Sequence, residues 1–204
     1  MLGFFFENSA DNHLLRAACF EAGLFIFANS YLFLTTLFWS SLLLYIELNN
    51  INELNLDDAI KDFIASGKPF VGICLGFQLL FDKSDEIEDT FGLGILPGEV
   101  KSFSALNDKI RVPHVGWNNI KKKQIPNTKN NFDPLKKLND QEYFYFVHSF
   151  YVEPEDNKDI YTTTEYGGHN FCSSILKENI FACQFHPEKS GEKGISILRD
   201  FFNK

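Results

Sequence analysis

The chain has 204 residues, 45% of them hydrophobic, with a formal net charge of −8 and a pI near 5.1. That length and apolar content predict one compact domain over residues 1–204, and the acidic balance without a basic stripe argues against a nucleic-acid partner. Four cysteines (Cys19, Cys74, Cys172, Cys183) with no CxxC spacing argue against a disulfide framework or a metal site, and fit a reduced, cytoplasmic compartment.

The opening residues carry no basic region and no small-residue cleavage site, so no signal peptide is expected. Asp11 to Ala22 predicts a helix, with Asp11 or Asn12 as cap, Leu14, Leu15, Ala18 and Cys19 on one face, and Gly23 as stop. Leu24 to Ile46 is a run of 23 residues without a charge, long enough to span a bilayer. It also carries Asn29, Ser30, Thr35, Thr36, Ser40 and Ser41, and has no basic flank close by, which favours a buried segment over a membrane span. Leu56 to Ser66 predicts a second helix, with Asp57 and Asp58 in its first turn, Ala59, Ile60, Phe63 and Ile64 inward, and Gly67 after it. Phe70 to Ile73 reads as a short buried strand, and Leu75 to Phe81 as a helix start with an apolar face. From about Gly92 the texture changes to β-type runs at Glu99–Phe103, Tyr143–Val147, Ile160–Glu165, Phe171–Leu176 and Ile180–Gln184. Between the third and fourth, "GGHN" signals a hairpin. Residues 121 to 141, which include Lys121 to Lys123, read as a polar surface loop. A last helix is expected, capped by Ser190, with Ile195, Leu198 and Phe202 toward the core. Helices and strands alternating early, then hairpins, indicate an α/β domain with a mixed sheet.

Two stretches carry chemistry. In "PFVGICLGFQLLF", Cys74 lies between Gly72 and Gly76 at the junction of strand and helix. Strand, Gly-x-nucleophile-x-Gly, helix is the nucleophile-elbow pattern, in which the turn exposes the nucleophile and the glycines let strand and helix pass closely. N–H groups at the helix start favour a thiolate. By itself the pentapeptide also fits a core cysteine beside two turn glycines. The second stretch, "FACQFHPEKSG", ends a strand with His186, Pro187 and Glu188. A cysteine nucleophile needs a base, and the base needs a carboxylate to orient it. Alone, His-Pro-Glu also fits a surface turn. The order Cys, His, Glu in one chain makes the catalytic reading the stronger one.

"GICLGFQLL" with "QFHPEKS" resembles the class I glutamine amidotransferases. "VPHVGWN" (112 to 118), "YFVHSFYV" (145 to 152) and "HPEKS" are similar, within that family, to the glutaminase subunits of imidazole glycerol phosphate synthase. The likeness covers about residues 52 to 204 and the helix "NHLLRAACFEAG". It implies a mixed, mainly parallel sheet with flanking helices. The implied catalytic residues are Cys74, His186 and Glu188, with the Leu75 N–H as oxyanion donor. Gly76, Gln78, Glu86, Ser149 and Phe150 would bind glutamine, the last two largely by backbone. For Glu86, a solvated charge in "DKSDE" is the plain alternative. Trp117, Asn118, Tyr145 and Lys189 would face a (β/α)8-barrel cyclase in a heterodimer. No cofactor, no nucleic acid and no membrane is implied.

The sequence departs from that pattern in two places. Family members open with a strand and a "DYGxGN"-like turn, where this chain has "MLGFFFENSADNH". They also carry a strand ending in "LPGVGxF", whose glycine loop helps form the oxyanion hole. Here that place holds "LFIFANSYLFLTTLFWSSLLLYIELNN", as a local frame change or an aberrant gene copy would leave it. Two alternatives stay open: an ammonia-supplying subunit for another synthase, such as a sugar amidotransferase, and a binding subunit with impaired catalysis.

Overall fold

A computed structural model describes residues 2–5, 26–27, 56–86, 90–106, 109–123 and 133–202. The expected helix at 11–22, nearly all of the uncharged run at 24–46 and the missing glycine loop lie outside the described residues. The elements in order are β1 (Leu2–Phe5), β2 (Ile26–Phe27), α1 (Leu56–Ala65), β3 (Phe70–Cys74), α2 (Leu75–Gln78), β4 (Phe81–Ser84), β5 (Thr90–Phe91), β6 (Leu96–Ser102), β7 (His114–Asn119), β8 (Lys121–Lys122), β9 (Tyr143–His148), β10 (Phe150–Pro154), β11 (Ile160–Tyr166), β12 (His169–Lys177), β13 (Ile180–Cys183) and α3 (Gly191–Phe202). The main sheet runs β2-β1-β3-β13-β12-β10-β6-β4-β5, with β11 on β12 and β8 on β11, while β7 and β9 form a separate ribbon.

The mixed α/β sheet is as expected, but parallel pairing is the minority. Among the described strands it is confined to β1–β2, β3–β13 and β4–β6. Parallel neighbours need a crossover; here β6–β10, β7–β9 and β8–β11 meet antiparallel over long connections, while β4–β5, β11–β12 and β12–β13 are joined by short turns that can only link antiparallel strands. The "GGHN" signal is one of these, with Tyr166 and His169 paired across Gly167-Gly168.

Alternation along the strands puts a core on each face of the sheet. Phe70 of β3, Ala182 of β13 and Val152 of β10 face the layer formed by α1 and α2, through Ile60, Phe63 and Phe77. Val71, Ile73, Phe181, Cys183 and Tyr151 face the opposite layer, formed by Phe144 and Phe146 of β9 and by Ile197 and Phe201 of α3. Each fully buried Phe side chain stabilises the fold by roughly 1.5–3 kcal/mol. At the end of α1, Asn179 donates to the carbonyls of Ile64 (3.0 Å) and Lys68 (2.7 Å), which satisfies groups the helix cannot bond itself.

Three expectations need correction. First, α2 stops at Gln78 instead of running to Phe81. The carbonyls of Leu79 and Leu80 are taken by the N–H groups of Leu93, Ile95 and Leu96, so Leu79-Leu80 forms a turn and Phe81 opens β4. Second, residues 121 to 141 are not wholly a surface loop. Leu135 is fully buried, and Lys122 Nζ donates to the carbonyls of Leu135 (2.5 Å) and Leu138 (2.6 Å). Third, the buried line of α3 is Gly194, Ile197 and Phe201, one residue off the expected face, with Leu198 and Phe202 partly buried beside it. Among the described residues no helix is long and apolar enough to cross a membrane.

Candidate active site

The carboxyl ends of two neighbouring parallel strands build the site. In β3–β13 the register pairs Ile73 with Cys183, so Cys74 and the segment after β13 leave the sheet side by side. Cys74 has φ 53 and ψ −107, a conformation that a residue with a side chain adopts only under strain. This is the sharp turn of an elbow. A Cβ on Gly72 would lie 2.8 Å from the Gly76 carbonyl oxygen, so the backbones touch where strand passes helix, and no larger residue fits. Leu75 and Gly76 are buried in the first turn of α2.

Cys74 is partly exposed, and its thiol donates to the Val147 carbonyl at 3.8 Å. Gln184 Nε2 lies 3.5 Å from its sulfur. His186 and Glu188 are buried, with Nδ1–H of His186 donating to Glu188 Oε1 at 2.7 Å. Nε2 of His186 is buried and makes no hydrogen bond. Burial pushes the Cys74 thiol up, but the charge and hydrogen-bonding capacity of His186 outweigh it and hold the pKa below the ordinary thiol value. Burial likewise depresses His186, but the Cys74 sulfur and then the Glu188 carboxylate raise it to about 9. Thiolate and imidazolium thus favour each other.

The structure brings Gln78 beside this group and ties it down. Its Nε2 donates to the Phe150 carbonyl (3.1 Å) and to Gln184 Oε1 (2.9 Å), so its own Oε1 is what remains for a ligand. The carbonyls of Ser149 and Phe150 are engaged as well, Ser149 by the Phe103 N–H (3.1 Å) and Phe150 by His148 Nδ1 (2.7 Å) and Gln78. Glu86 sits half-buried in the turn after β4, its N–H donating to Ser84 Oγ at 3.1 Å. Trp117 and Tyr145 pair across β7–β9 on the outer face of the ribbon, with ring centroids 6.2 Å apart, and Lys189 Nζ lies 6.0 Å from the Tyr145 ring. Asn118 points the other way and donates to the Glu165 carbonyl at 2.9 Å. Ser190 does not cap α3 with its side chain. Its Oγ donates to the His186 carbonyl (2.6 Å) and accepts from the Tyr145 N–H (3.0 Å), pinning the His-Pro-Glu turn to β9.

Sequence reasoning passed over Gln184, His148 and His114. Gln184 was within reach: in an extended segment, residues two apart share a face, so Gln184 and His186 point the same way. The histidine pair carried no periodic signal, because it forms only when β7 meets β9.

The family described as "Glutamine amidotransferase class-I" matches residues 53–204. The chain belongs to the class I glutamine amidotransferases. Two relatives place it further within that family. It is 45% identical over 160 residues to "Imidazole glycerol phosphate synthase subunit HisH" of Aquifex aeolicus, covering 77% of this chain and 71% of that one. To the protein of the same name from Caldanaerobacter subterraneus subsp. tengcongensis it is 47% identical over 150 residues, covering 73% and 68%. Among solved structures, a "glutamine amidotransferase" superposes with a TM-score of 0.55 at 13% identity over 98% of both chains. A "putative gmp synthase subunit a protein" from Thermoplasma acidophilum gives 0.53 at 15% identity, over 98% of this chain and 92% of that one. At those identities the structures speak for the amidotransferase fold alone.

Proposed function

We infer that this chain is the glutaminase subunit of an imidazole glycerol phosphate synthase. It hydrolyses glutamine to glutamate and ammonia and passes the ammonia to a cyclase subunit, which makes imidazole glycerol phosphate and an aminoimidazole carboxamide ribonucleotide in histidine biosynthesis. The HisH names of its relatives support the pathway. One observation carries the chemistry: an elbow cysteine with φ 53 beside a buried His186–Glu188 pair whose second imidazole nitrogen is unbonded.

In this reading the Cys74 thiolate attacks the side-chain amide carbon of glutamine. The Leu75 N–H, next after the nucleophile, donates to the oxyanion. His186 gives its proton to the amide nitrogen, ammonia leaves, and a glutamyl thioester remains. Neutral His186 then takes a proton from water, the resulting hydroxide attacks the thioester, and glutamate departs as thiolate and imidazolium return. Glu188 keeps the proton on Nδ1 and so presents Nε2 to the sulfur. Free ammonia protonates in bulk water and loses its nucleophilicity, so the product must leave into a closed path. The outer face of β7–β9 fits the docking of a barrel subunit that offers one. Val115, Trp117 and Tyr143 are exposed there, beside Tyr145 and next to the His-Pro-Glu turn.

Glutamate release by the chain with its purified cyclase, beside Cys74→Ala, tests the reading. Partner-dependent release that vanishes in the variant is expected. Release that persists without the sulfur would overturn the mechanism.

A further inference from the structure

We propose that Gln184 is a further catalytic residue, which donates a hydrogen bond from its side-chain amide to the reacting sulfur of Cys74 while joining that sulfur to Gln78. The inference rests on Cys74 being the nucleophile.

The direction of every bond in this group is forced. The Phe150 carbonyl can only accept, so the atom of Gln78 that meets it is the amide nitrogen, at 3.1 Å. The second hydrogen of that nitrogen goes to Gln184, 2.9 Å away, so the Gln184 atom there is Oε1. What Gln184 then turns to Cys74, at 3.5 Å, is its N–H donor. A thiolate at that point accepts a hydrogen bond from a fully buried neutral group whose orientation it does not have to induce. Gln184 itself is anchored by its backbone N–H on the Ser173 carbonyl at 2.9 Å.

The anchoring continues behind Phe150. His148 Nδ1–H donates to the same carbonyl at 2.7 Å, which leaves His148 Nε2 to accept from His114 Nδ1–H at 2.9 Å. His114 Nε2 accepts in turn from Asn118 Nδ2 at 3.3 Å. Both imidazoles are buried, and His114 stacks between Tyr166 and Phe146, with centroids at 3.9 and 4.9 Å. A chain of hydrogen bonds therefore joins the inner face of β7 to the sulfur, with the Phe150 carbonyl at its middle accepting from His148 on one side and Gln78 on the other. In it Gln184 touches the reacting atom, and His148, His114 and Asn118 are positioning residues behind it. His186 supplies the proton and the opposite charge, whereas Gln184 supplies a neutral donor that stays put when His186 loses its proton.

The test reads the sulfur directly and needs no turnover. The rate of Cys74 alkylation by iodoacetamide is followed against pH in the full chain, in Gln184→Met and in Gln184→Glu, each also in a His186→Asn background. Gln184→Met removes donor and acceptor at similar volume. Gln184→Glu keeps the acceptor for Gln78 and replaces the donor beside sulfur with a carboxylate oxygen, so the two variants disturb the buried site in different ways. The expected result is a raised thiol pKa in both variants and both backgrounds, with alkylation near neutral pH slowed roughly tenfold or more, as loss of a bond to a charged acceptor implies. An unchanged profile in either folded variant overturns the proposal, and so does a shift in Gln184→Glu without one in Gln184→Met, since an added carboxylate raises a thiol pKa by charge alone. So does a shift that disappears in His186→Asn, since Gln184 would then act only through the histidine. Persistent glutamine hydrolysis by Cys74→Ala is a separate outcome: it removes the nucleophile reading and leaves the alkylation result standing.

Discussion

At the scale of single residues, three described cysteines sit in one small molecule and only one is set up to react. Burial pushes the Cys172 and Cys183 thiols up, while His186 holds Cys74 down. A glutamine-analogue electrophile is therefore expected to modify Cys74 alone, as mass spectrometry of the digested protein checks. Label on Cys183 would refute the assignment. The same pairing sets the pH profile. The proposed chemistry needs the proton on His186, whose pKa is raised to about 9, so kcat/KM should hold through neutral pH and fall above about 9. Glu188→Gln removes the carboxylate that helps raise this value, so its alkaline limb should move to lower pH and kcat should drop. An unmoved limb in the variant would mean that Glu188 orients the ring without charging it.

Elements bear on the site through one close contact and one buried pair. A Cβ at Gly194 would lie 2.0 Å from the Pro187 carbonyl oxygen, so α3 packs on the His-Pro-Glu turn with no room for a methyl group. Gly194→Ala must push that turn, and Glu188 with it. Expected are about 1–3 kcal/mol of lost stability by urea unfolding, and a fall in kcat larger than the change in KM. A normal kcat in a destabilised variant would show that the turn is not held by the helix. The His114–His148 pair gives β7–β9 an acid sensitivity. Burial lowers His114 to about 4 and, with the charge of His114, lowers His148 to about 3. Unfolding restores the ordinary value near 6.5, so the unfolded chain binds more protons below that pH and stability is lost as pH falls from about 6.5 toward 4. Each histidine should contribute on the order of 1–2 kcal/mol of loss between about pH 7 and pH 5. Urea midpoints across that range check it, and His148→Gln, which can still donate to Phe150, should flatten the slope.

At the scale of the whole molecule, the uncharged run bears on the oxyanion arrangement that the proposed mechanism needs. The family resemblance implies a glycine loop where this chain has an uncharged run, and no glycine occurs between Gly23 and Gly67. A peptide that must rotate to donate to the oxyanion does so cheaply only at glycine. With the Leu75 N–H as one donor and a poor second, kcat should fall roughly 10²–10³-fold while KM changes less, even with the cyclase bound. Steady-state kinetics beside a chain whose residues 24–50 are replaced by a "PGVG"-bearing strand and loop decide this. Equal kcat for the two would mean that the oxyanion is stabilised elsewhere.

What the sequence determined alone was local: the elbow of Gly72 to Gly76, the order Cys74, His186, Glu188, the run of α1 and the hairpin at Gly167-Gly168. Each is legible because turn geometry, helical spacing and strand alternation act over a few residues. Tertiary structure decided the rest. The end of α2 at Gln78 depends on N–H groups of residues 93 to 96 capturing the carbonyls of Leu79 and Leu80. The antiparallel majority in the sheet follows from which strands find one another, and Ser190 bonds β9 instead of its own helix. The hydrogen-bond chain from Asn118 to Cys74 joins segments that lie up to 110 positions apart, as Gln184 and Cys74 do. No local rule reaches that far, because a buried polar group takes whichever partner the fold brings to it.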